Sequence, residues 1–246
     1  AATRPESEER DDWLRVFGPE TENADKHAGA ISLTDARILA FPVRSLKGVY
    51  AWATCPAVLD RFRQDLRLAG EDVSGLPKTP SLASEAILCA EAPLTIDGTH
   101  VMLEEFDFKR TGDADRWAEV LAARVSGDHA VAQRLKSRVA ILADDDFGHF
   151  VQYATEVTAR IGLDPKTKTV QRGALFYQEV LPAETLFYAV TLSERRHANG
   201  VAITGGEALE WLTGRLPKVI QVGADETIGR GYCATHLSRV AGGATR

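Results

Sequence analysis

The chain has 246 residues, of which 44% are hydrophobic and 26% charged, and its 29 basic and 35 acidic side chains give a formal net charge of −6. This composition is ordinary for a soluble globular protein, and the length suits one large domain or two small ones. The acidic balance excludes a protein that binds nucleic acid through bulk positive charge, but it leaves room for a local basic track.

Three further classes are excluded by simple patterns. No apolar run approaches the ~20 residues of a membrane-spanning helix, and no secretory signal is visible at the start. The three cysteines, Cys55, Cys89 and Cys233, include no CxxC pair, which argues against a disulfide framework or a zinc site. We therefore expect a protein of the reducing cytoplasm, without contact with a membrane.

Helical and strand patterns are mixed along the chain. Residues up to 17 are typical of a helix that ends at Gly18-Pro19, and residues 30–42 of a strand pair or one bent strand. Val49–Thr54 predicts a strand, and Pro56–Leu68 predicts a helix with apolar residues at helical spacing. The remaining predicted elements are strands at 86–91 and 99–108, helices at 114–125 and 128–138, a strand at 139–142, a helical turn at 147–153, strands at 156–163, 173–181 and 185–192, a helix at 206–214, a strand at 218–222 and a short C-terminal helix. Strands and helices mixed without strict βαβ alternation indicate an α+β fold.

Three segments combine features that suit phosphate or nucleic-acid binding. A turn between two strands carries two cations and a hydroxyl, and a predicted hairpin has a basic tip. A glycine-bearing loop after the strand at 218–222 has backbone N–H groups that could face phosphate oxygens. The candidate binding residues are Arg44, Ser45 and Lys47 in the turn, Lys166, Lys168 and Arg172 in the hairpin, and Gly223, Gly229, Arg230 and Gly231 in the loop. Taken alone, the cations of the turn and of the hairpin tip are more often solvated loop charges, and the glycine loop is as compatible with a tight turn as with a phosphate contact.

Catalytic signals are sparse. Asp144, Asp145 and Asp146 could suggest a metal site, but consecutive carboxylates cannot all point at one ion, so we interpret them as helix-capping residues. The histidines form no HExxH spacing and no GxSxG elbow is present, so zinc and serine hydrolase chemistry have no support. Glu184 and Tyr188, four residues apart, are candidates for auxiliary acid–base roles.

Several of these motifs, in this order, resemble those of one protein family. They are the run from Thr34 through Phe41-Pro42-Val43-Arg44-Ser45-Leu46-Lys47-Gly48 to Trp52, then Glu104-Glu105-Phe106, Asp144-Asp145-Asp146-Phe147, Lys166-Thr167-Lys168-Thr169-Val170, Gly173-Ala174-Leu175-Phe176-Tyr177, and the closing glycine loop. From about Trp13 onward the chain is similar to the repeated backbone subunit of the Cmr (type III-B) CRISPR effector complexes, a member of the RAMP superfamily. One departure is Ala224, where the family often has glycine.

The resemblance implies a modified ferredoxin-like (RRM-type) core in a single domain over 1–246, with a largely helical insertion at 56–138 and a β-hairpin thumb at 156–181. It also implies guide RNA, single-stranded target RNA, further copies of the chain and other Cmr subunits as partners. Target cleavage in the family uses a divalent metal such as Mg²⁺ and an essential Asp, expected before Ala1 together with the first core strand. No catalytic or metal-binding residue of this chain is therefore assigned.

Two other functions stay open from the residues alone. One is a structural subunit that binds guide RNA without cutting, and the other is a small-molecule enzyme whose glycine loop holds a phosphorylated substrate. Charge distribution favours RNA, because residues 37–47, 160–172 and 229–246 each carry a net charge of +3 within a chain of −6. An acidic average therefore conceals three basic segments, which coincide with the turn, the hairpin and the glycine loop.

Overall fold

The structure is a computed structural model that describes residues 10–20, 22, 27–125, 128–198 and 201–238. Helices and strands are mixed along these residues without strict alternation, as the sequence predicts. The helices are α1 (Arg10–Phe17), α2 (Pro56–Leu68), α3 (Asp115–Val125), α4 (His129–Arg138), α5 (Asp144–Tyr153), α6 (Gly205–Arg215) and a short 3-10 turn at Glu226–Ile228. The strands are β1 (Ile31–Leu33), β2 (Arg37–Ser45), β3 (Val49–Thr54), β4 (Ala86–Cys89), β5 (His100–Leu103), β6 (Phe106–Gly112), β7 (Val139–Leu142), β8 (Glu156–Leu163), β9 (Val170–Val180), β10 (Leu186–Tyr188), β11 (Thr191–Ser193), β12 (Arg196–Ala198), β13 (Val201–Ile203), β14 (Val219–Gln221) and β15 (Tyr232–Ala234).

A seven-stranded mixed sheet forms the body of the molecule, in the order β10-β2-β3-β7-β4-β6-β5. The β3–β7 and β4–β6 pairs are parallel, and the other neighbours are antiparallel. The strand at the end of this order, β5, also pairs with β2 through Ser45 and Leu103. The sheet therefore curls back on itself at this pair. The turn that follows Ser45 lies at this closure.

Both faces of the sheet are buried, as the central strand β7 shows. Its four residues are all buried, with Val139 and Ile141 on one face and Ala140 and Leu142 on the other, because side chains alternate along a strand. One face packs against apolar residues of α2, α3 and α4, and the other packs against α5. A continuous apolar run in the sequence is typical of such a doubly covered strand.

The helix starts are secured by polar side chains. Asp128 accepts the Ala130 and Val131 N–H groups at the start of α4, as its sequence position predicts. Helix α2 begins after Cys55, which provides no side-chain cap, and Asp144 of the distant α5 accepts the Ala57 N–H at 2.9 Å instead.

Four two-stranded sheets surround the body: β1–β11, β8–β9, β12–β13 and β14–β15. Helices α1 and α6 pack around β1 in a third small core that includes Val16, Ile31, Ala208 and Leu212. Helix α6 begins with a capping box in which Thr204 and Glu207 exchange hydrogen bonds. The β8–β9 hairpin lies outside these cores, since no residue of β8 is buried.

Several predicted elements differ from the observed ones. Residues 30–42 are neither a strand pair nor one strand, because β1 pairs with β11 while β2 joins the large sheet. The predicted strand at 99–108 is two strands, separated by a turn in which Glu104 has a φ of +50°. The predicted strand at 185–192 is likewise divided between two sheets. Of the expected C-terminal helix, residues 232–234 form a strand, and residues beyond 238 lie outside the described part.

The segment 56–138 contains α2, α3 and α4 together with β4, β5 and β6, three strands of the large sheet. The boundaries of a helical insertion therefore stay a prediction. Within the described ranges, no helix is long and apolar enough to cross a membrane.

Candidate nucleic-acid interface

The β8–β9 hairpin presents an exposed basic tip. The Asp164 carboxylate accepts the N–H groups of Thr167 and Lys166, both at 2.8 Å, and these bonds lower the pKa of Asp164. A further bond joins the Lys168 N–H to the Asp164 carbonyl at 2.9 Å, and Lys168 has a φ of +57°. The side chains of Lys166 and Lys168 are exposed. The turn thus holds two ammonium groups at the end of the hairpin; Arg172 lies in β9, and its side chain is outside the described part.

The glycine loop after β14 is a compact turn folded around the amide of Gln221. Gln221 Nε2 lies 3.1 Å from the Gly223 carbonyl oxygen and 3.3 Å from that of Arg230. Gly223, Gly229 and Gly231 all have positive φ, between +75° and +87°. These three glycines adopt the left-handed conformation that side chains disfavour, which is the physical reason for their presence.

The structure brings the hairpin and the glycine loop together. Asp225 of the loop accepts a hydrogen bond from Gln178 Nε2 of β9, and its carboxylate lies 3.8 Å from the Arg160 guanidinium of β8. Arg230 Nη2 donates to Thr158 Oγ1 at 3.4 Å. The base of the hairpin and the glycine loop are therefore in direct contact, and the basic tip lies at the far end of the same hairpin.

Apart from Arg230, the contact residues at this junction were not among the predicted site residues. Thr158, Arg160 and Gln178 share one face of the hairpin, because Thr158 pairs with Gln178 in the register and Arg160 lies two residues from Thr158. Single polar residues of this kind carry no motif. The one sequence signal for this face is the alternation of polar Thr158 and Arg160 with apolar Val157 and Ile161, which does not identify the glycine loop as its partner.

We expect Asp225→Gly to separate the loop from the hairpin. Glycine retains the positive φ of this position without strain, while the change removes the acceptor of Gln178 and the counter-ion of Arg160. Hydrogen exchange of the β8–β9 amides near Thr158 should become several-fold faster, as measured by mass spectrometry. The exposed neighbour Glu226, changed to Ala, is the matched control, and equal exchange in the two variants would contradict the coupling.

The third predicted segment, the turn between β2 and β3, lies against the β5–β6 turn. Arg44 makes a bidentate contact with Glu104, with Nε 2.9 Å and Nη2 2.6 Å from Oε2, which raises the pKa of Arg44. Lys47 Nζ lies 3.5 Å from the Ile96 carbonyl oxygen, and Ser45 Oγ is buried with no hydrogen-bond partner among the described residues. The charge of Arg44 is thus balanced locally by Glu104, a partner that the site prediction did not include.

Glu184 and Tyr188 have separate partners. The Tyr188 hydroxyl donates to Asp65 Oδ2 at 2.7 Å, and burial together with this carboxylate raises the pKa of Tyr188 to about 12. The Glu184 carbonyl accepts the Trp52 indole N–H at 2.8 Å, and its exposed carboxylate lies 3.4 Å from the Tyr50 hydroxyl. This geometry favours a structural role for Tyr188, and an auxiliary role for Glu184 stays a prediction.

The acidic run at the start of α5 holds neighbouring segments in place. Asp144 accepts a hydrogen bond from the Ala57 N–H, as described above. Asp146 accepts one hydrogen bond from the Ser84 hydroxyl at 2.9 Å and another from the Glu85 N–H at 3.0 Å. Among the described residues, no three His, Cys, Asp or Glu side chains come together in a way that could hold a metal ion. The described residues thus offer no donor set for the divalent metal implied by the resemblance.

Comparisons with known proteins agree on one family. The model of the RAMP superfamily matches residues 6–234. The CRISPR system Cmr endoribonuclease Cmr4 of Pyrococcus furiosus is 41% identical over 229 residues, which are 92% of this chain and 75% of that protein.

Solved structures give the same result. The crystal structure of oligomeric Cmr4 from Pyrococcus furiosus has a TM-score of 0.67 and 30% identity, and the match covers 90% of this chain and 75% of that one. The cryo-EM structure of the type III-B Cmr-beta complex bound to cognate target RNA has a TM-score of 0.65 over 91% of this chain and 75% of that one. At 17% identity, that second likeness shows the fold alone. Because the family model and the Cmr4 match each extend over most of its length, the chain belongs to the RAMP superfamily.

Proposed function

We propose that this chain is the backbone subunit of a type III-B CRISPR (Cmr) complex, which binds guide RNA and cleaves complementary target RNA at regular intervals. The observation that carries the proposal is the direct contact between the base of the basic hairpin and the glycine loop, made by Asp225 and Arg230. The likeness to Cmr4, named as an endoribonuclease and solved as an oligomer, supports both the activity and the assembly of several copies.

The hairpin suits the role of a thumb that reaches into RNA. The eight residues of β8 are separated by seven steps of ~3.3 Å, so the strand carries the tip about 23 Å from its base. The tip ends in the ammonium groups of Lys166 and Lys168, whereas the base lies against the glycine loop. The cations at the tip would bind phosphates of a guide–target duplex. The glycine loop would lie against the backbone of the guide RNA. We infer that the large sheet is a modified ferredoxin-like core, and that the complex works in the cytoplasm with other Cmr subunits.

The chemistry of target cleavage is phosphodiester scission, for which attack by the adjacent 2′-hydroxyl is the simplest route. The 2′-oxygen bonds to phosphorus as the bond from phosphorus to the 5′-oxygen breaks, so the products are a 2′,3′-cyclic phosphate and a 5′-hydroxyl, which takes up the proton lost by the 2′-hydroxyl. Residues on the proposed surface would bind and orient the RNA, and their cations would stabilise the charge that develops on phosphate. Since the described residues offer no donor set for a divalent metal, no step is assigned to one. The catalytic group is likewise not assigned to a residue of this chain.

Changing Lys166 and Lys168 together to Ala tests the proposal. Each lost phosphate contact should lower the slope of log affinity against log salt by ~0.7, so guide RNA binding should weaken and its salt slope fall by about 1.4. Lys109 and Lys136, also exposed, provide a control double variant with the same change of net charge. Filter binding at several salt concentrations measures both quantities. The proposal fails if the two double variants bind RNA equally.

The alternative function is a structural subunit that binds guide RNA without cutting. Cleavage of a labelled target RNA by the assembled complex distinguishes the two functions. Cleavage products spaced at regular intervals support the endonuclease, whereas binding of the target without products supports the structural subunit.

A further inference from the structure

We propose that the turn Arg44–Val49 contacts RNA through an apolar tip, formed by Leu46 and Val49, as well as through its cations. Strained backbone at Val49 holds this tip outward. The inference rests on the proposed function and adds to it a nucleotide contact in which a base or ribose packs on aliphatic side chains. It assigns a binding role to two residues that carry no charge.

The backbone of this turn is strained at a residue poorly suited to it. Val49 has a φ of +74°, which for a β-branched residue is a rare and unfavourable conformation. The Tyr50 N–H donates to the Gly48 carbonyl at 3.0 Å, so Val49 is the central residue of a γ-turn. Glycine would adopt this backbone freely, yet the chain has valine here.

Neighbouring segments hold the strained turn in place. The Leu46 N–H donates to the Met102 carbonyl at 3.1 Å, and the Glu104 N–H donates to the Arg44 carbonyl at 2.8 Å. Gly48 lies against the Pro93–Leu94 segment, where an added Cβ would be 3.2 Å from Leu94 Cδ2. Strain of this kind persists only where the surroundings determine the backbone, and it occurs preferentially at ligand-binding sites.

Folding alone does not explain the side chains that the turn presents. Leu46 is 69% and Val49 74% exposed, so neither contributes a core contact. Between and beside them are Lys47, which is exposed, and Arg44, whose side chain is 85% exposed despite its contact with Glu104. Two of the five donor N–H groups of the guanidinium point to Glu104, and within the described part of the chain no other acceptor is recorded for the remaining three.

The alternation of cationic and aliphatic side chains matches RNA. A nucleotide offers an anionic phosphate beside an apolar ribose and base face, and Lys47 between Leu46 and Val49 can engage both. The charge of the segment agrees with this occupant, because residues 44–49 contain two cations and no acid. The one carboxylate in contact, Glu104, is already paired with Arg44. A second copy of the chain is the alternative occupant, and it becomes an outcome of the test.

The experiment measures stability and RNA binding on the same variants of the full chain. Val49→Gly should raise the midpoint of thermal unfolding, because glycine relieves the strain, and should weaken guide RNA binding about fivefold. Leu46→Ser should weaken binding to a similar degree without changing the unfolding midpoint. In both variants the salt slope of binding should stay unchanged, since no phosphate contact is lost. Leu68→Ser, at an exposed leucine of α2, is the matched control.

Four outcomes separate this inference from the function on which it rests. Stabilisation with weaker RNA binding in Val49→Gly supports it, because a structural role alone would not move the two quantities in opposite directions. Unchanged binding in the turn variants, with weaker binding in the Lys166 and Lys168 double variant, overturns the inference and leaves the function intact. Loss of self-assembly with unchanged RNA binding also overturns it, in favour of a contact between copies. If the lysine double variant also binds normally, the function and the inference fail together.

Discussion

Gly231→Ala is expected to disrupt the glycine loop and to lower the free energy of unfolding by at least about 2 kcal/mol. Gly231 has a φ of +75°, and a Cβ at this position would lie 2.0 Å from the Val222 carbonyl oxygen. Neither atom can move freely, because the Val222 N–H donates to the Gly231 carbonyl at 2.8 Å and the next residues form the β14–β15 ladder. The backbone must therefore open for the side chain to fit.

Gly229→Ala separates the steric effect from the effect of backbone conformation. Gly229 has a φ of +82°, but no atom lies within 4 Å of an added Cβ, so only the conformational penalty of ~1 kcal/mol is expected. Urea unfolding of both variants gives the difference directly, and hydrogen exchange at the Val222 amide locates it in the loop. Equal losses in the two variants would show that the close approach of residues 222 and 231 is absent in solution.

Elements whose signals are local were predicted well from the sequence. Helix α2 has the predicted bounds, because Pro56 at its first position and the apolar spacing of Leu59 and Phe62 depend on nothing outside the segment. Strand β7 likewise matches its apolar run. The basic tip and the glycine loop were also recognisable, since turn chemistry and glycine backbone freedom act within a few residues.

Pairings between distant residues were not predictable. β1 pairs with β11 about 160 residues later, and nothing in residues 30–42 distinguishes this partner from β2. The site shows the same limit, because Arg44 was identified by its charge while Glu104, its partner, lies 60 residues further along the chain. The junction between hairpin and loop depends on Gln178 and Asp225, which are 47 residues apart and carry no motif. Single-sequence patterns specify elements, whereas tertiary contacts select partners.

Asp65→Ala is expected to lower the free energy of unfolding by about 2–3 kcal/mol. Asp65 is 8% exposed, and its Oδ2 accepts hydrogen bonds from Arg37 Nη1 at 2.6 Å and from the Tyr188 hydroxyl at 2.7 Å. The carboxylate thus joins α2 to β2 and β10, and its removal leaves the half-buried Tyr188 hydroxyl without an acceptor. Asp35→Ala, at an exposed carboxylate near β2, should change stability by less than about 0.5 kcal/mol.

The same group predicts a pH dependence of stability. Burial acts to raise the pKa of Asp65, but the hydrogen bonds from Tyr188 and Arg37 outweigh it, so the pKa in the folded state is lowered. The stabilisation is therefore complete above the pKa of the unfolded state, near 3.9, and is lost as the pH falls through the folded value. Asp65→Asn removes this contribution, so the stability difference between the unmodified chain and the variant should shrink below pH ~4.

At alkaline pH the Tyr188 hydroxyl gives the opposite dependence. Burial and the Asp65 carboxylate raise the pKa of Tyr188 to about 12, so its contribution is complete below the unfolded pKa near 10 and is lost above it. Tyr188→Phe should remove this alkaline loss while leaving the Arg37–Asp65 ion pair in place. Urea unfolding of the unmodified chain, Asp65→Asn and Tyr188→Phe between pH 3 and 11 measures both the acid and the alkaline dependence of the free energy of unfolding. If the stability difference between the unmodified chain and each variant stays constant over the whole pH range, the expected pKa shifts of Asp65 and Tyr188 on folding are contradicted.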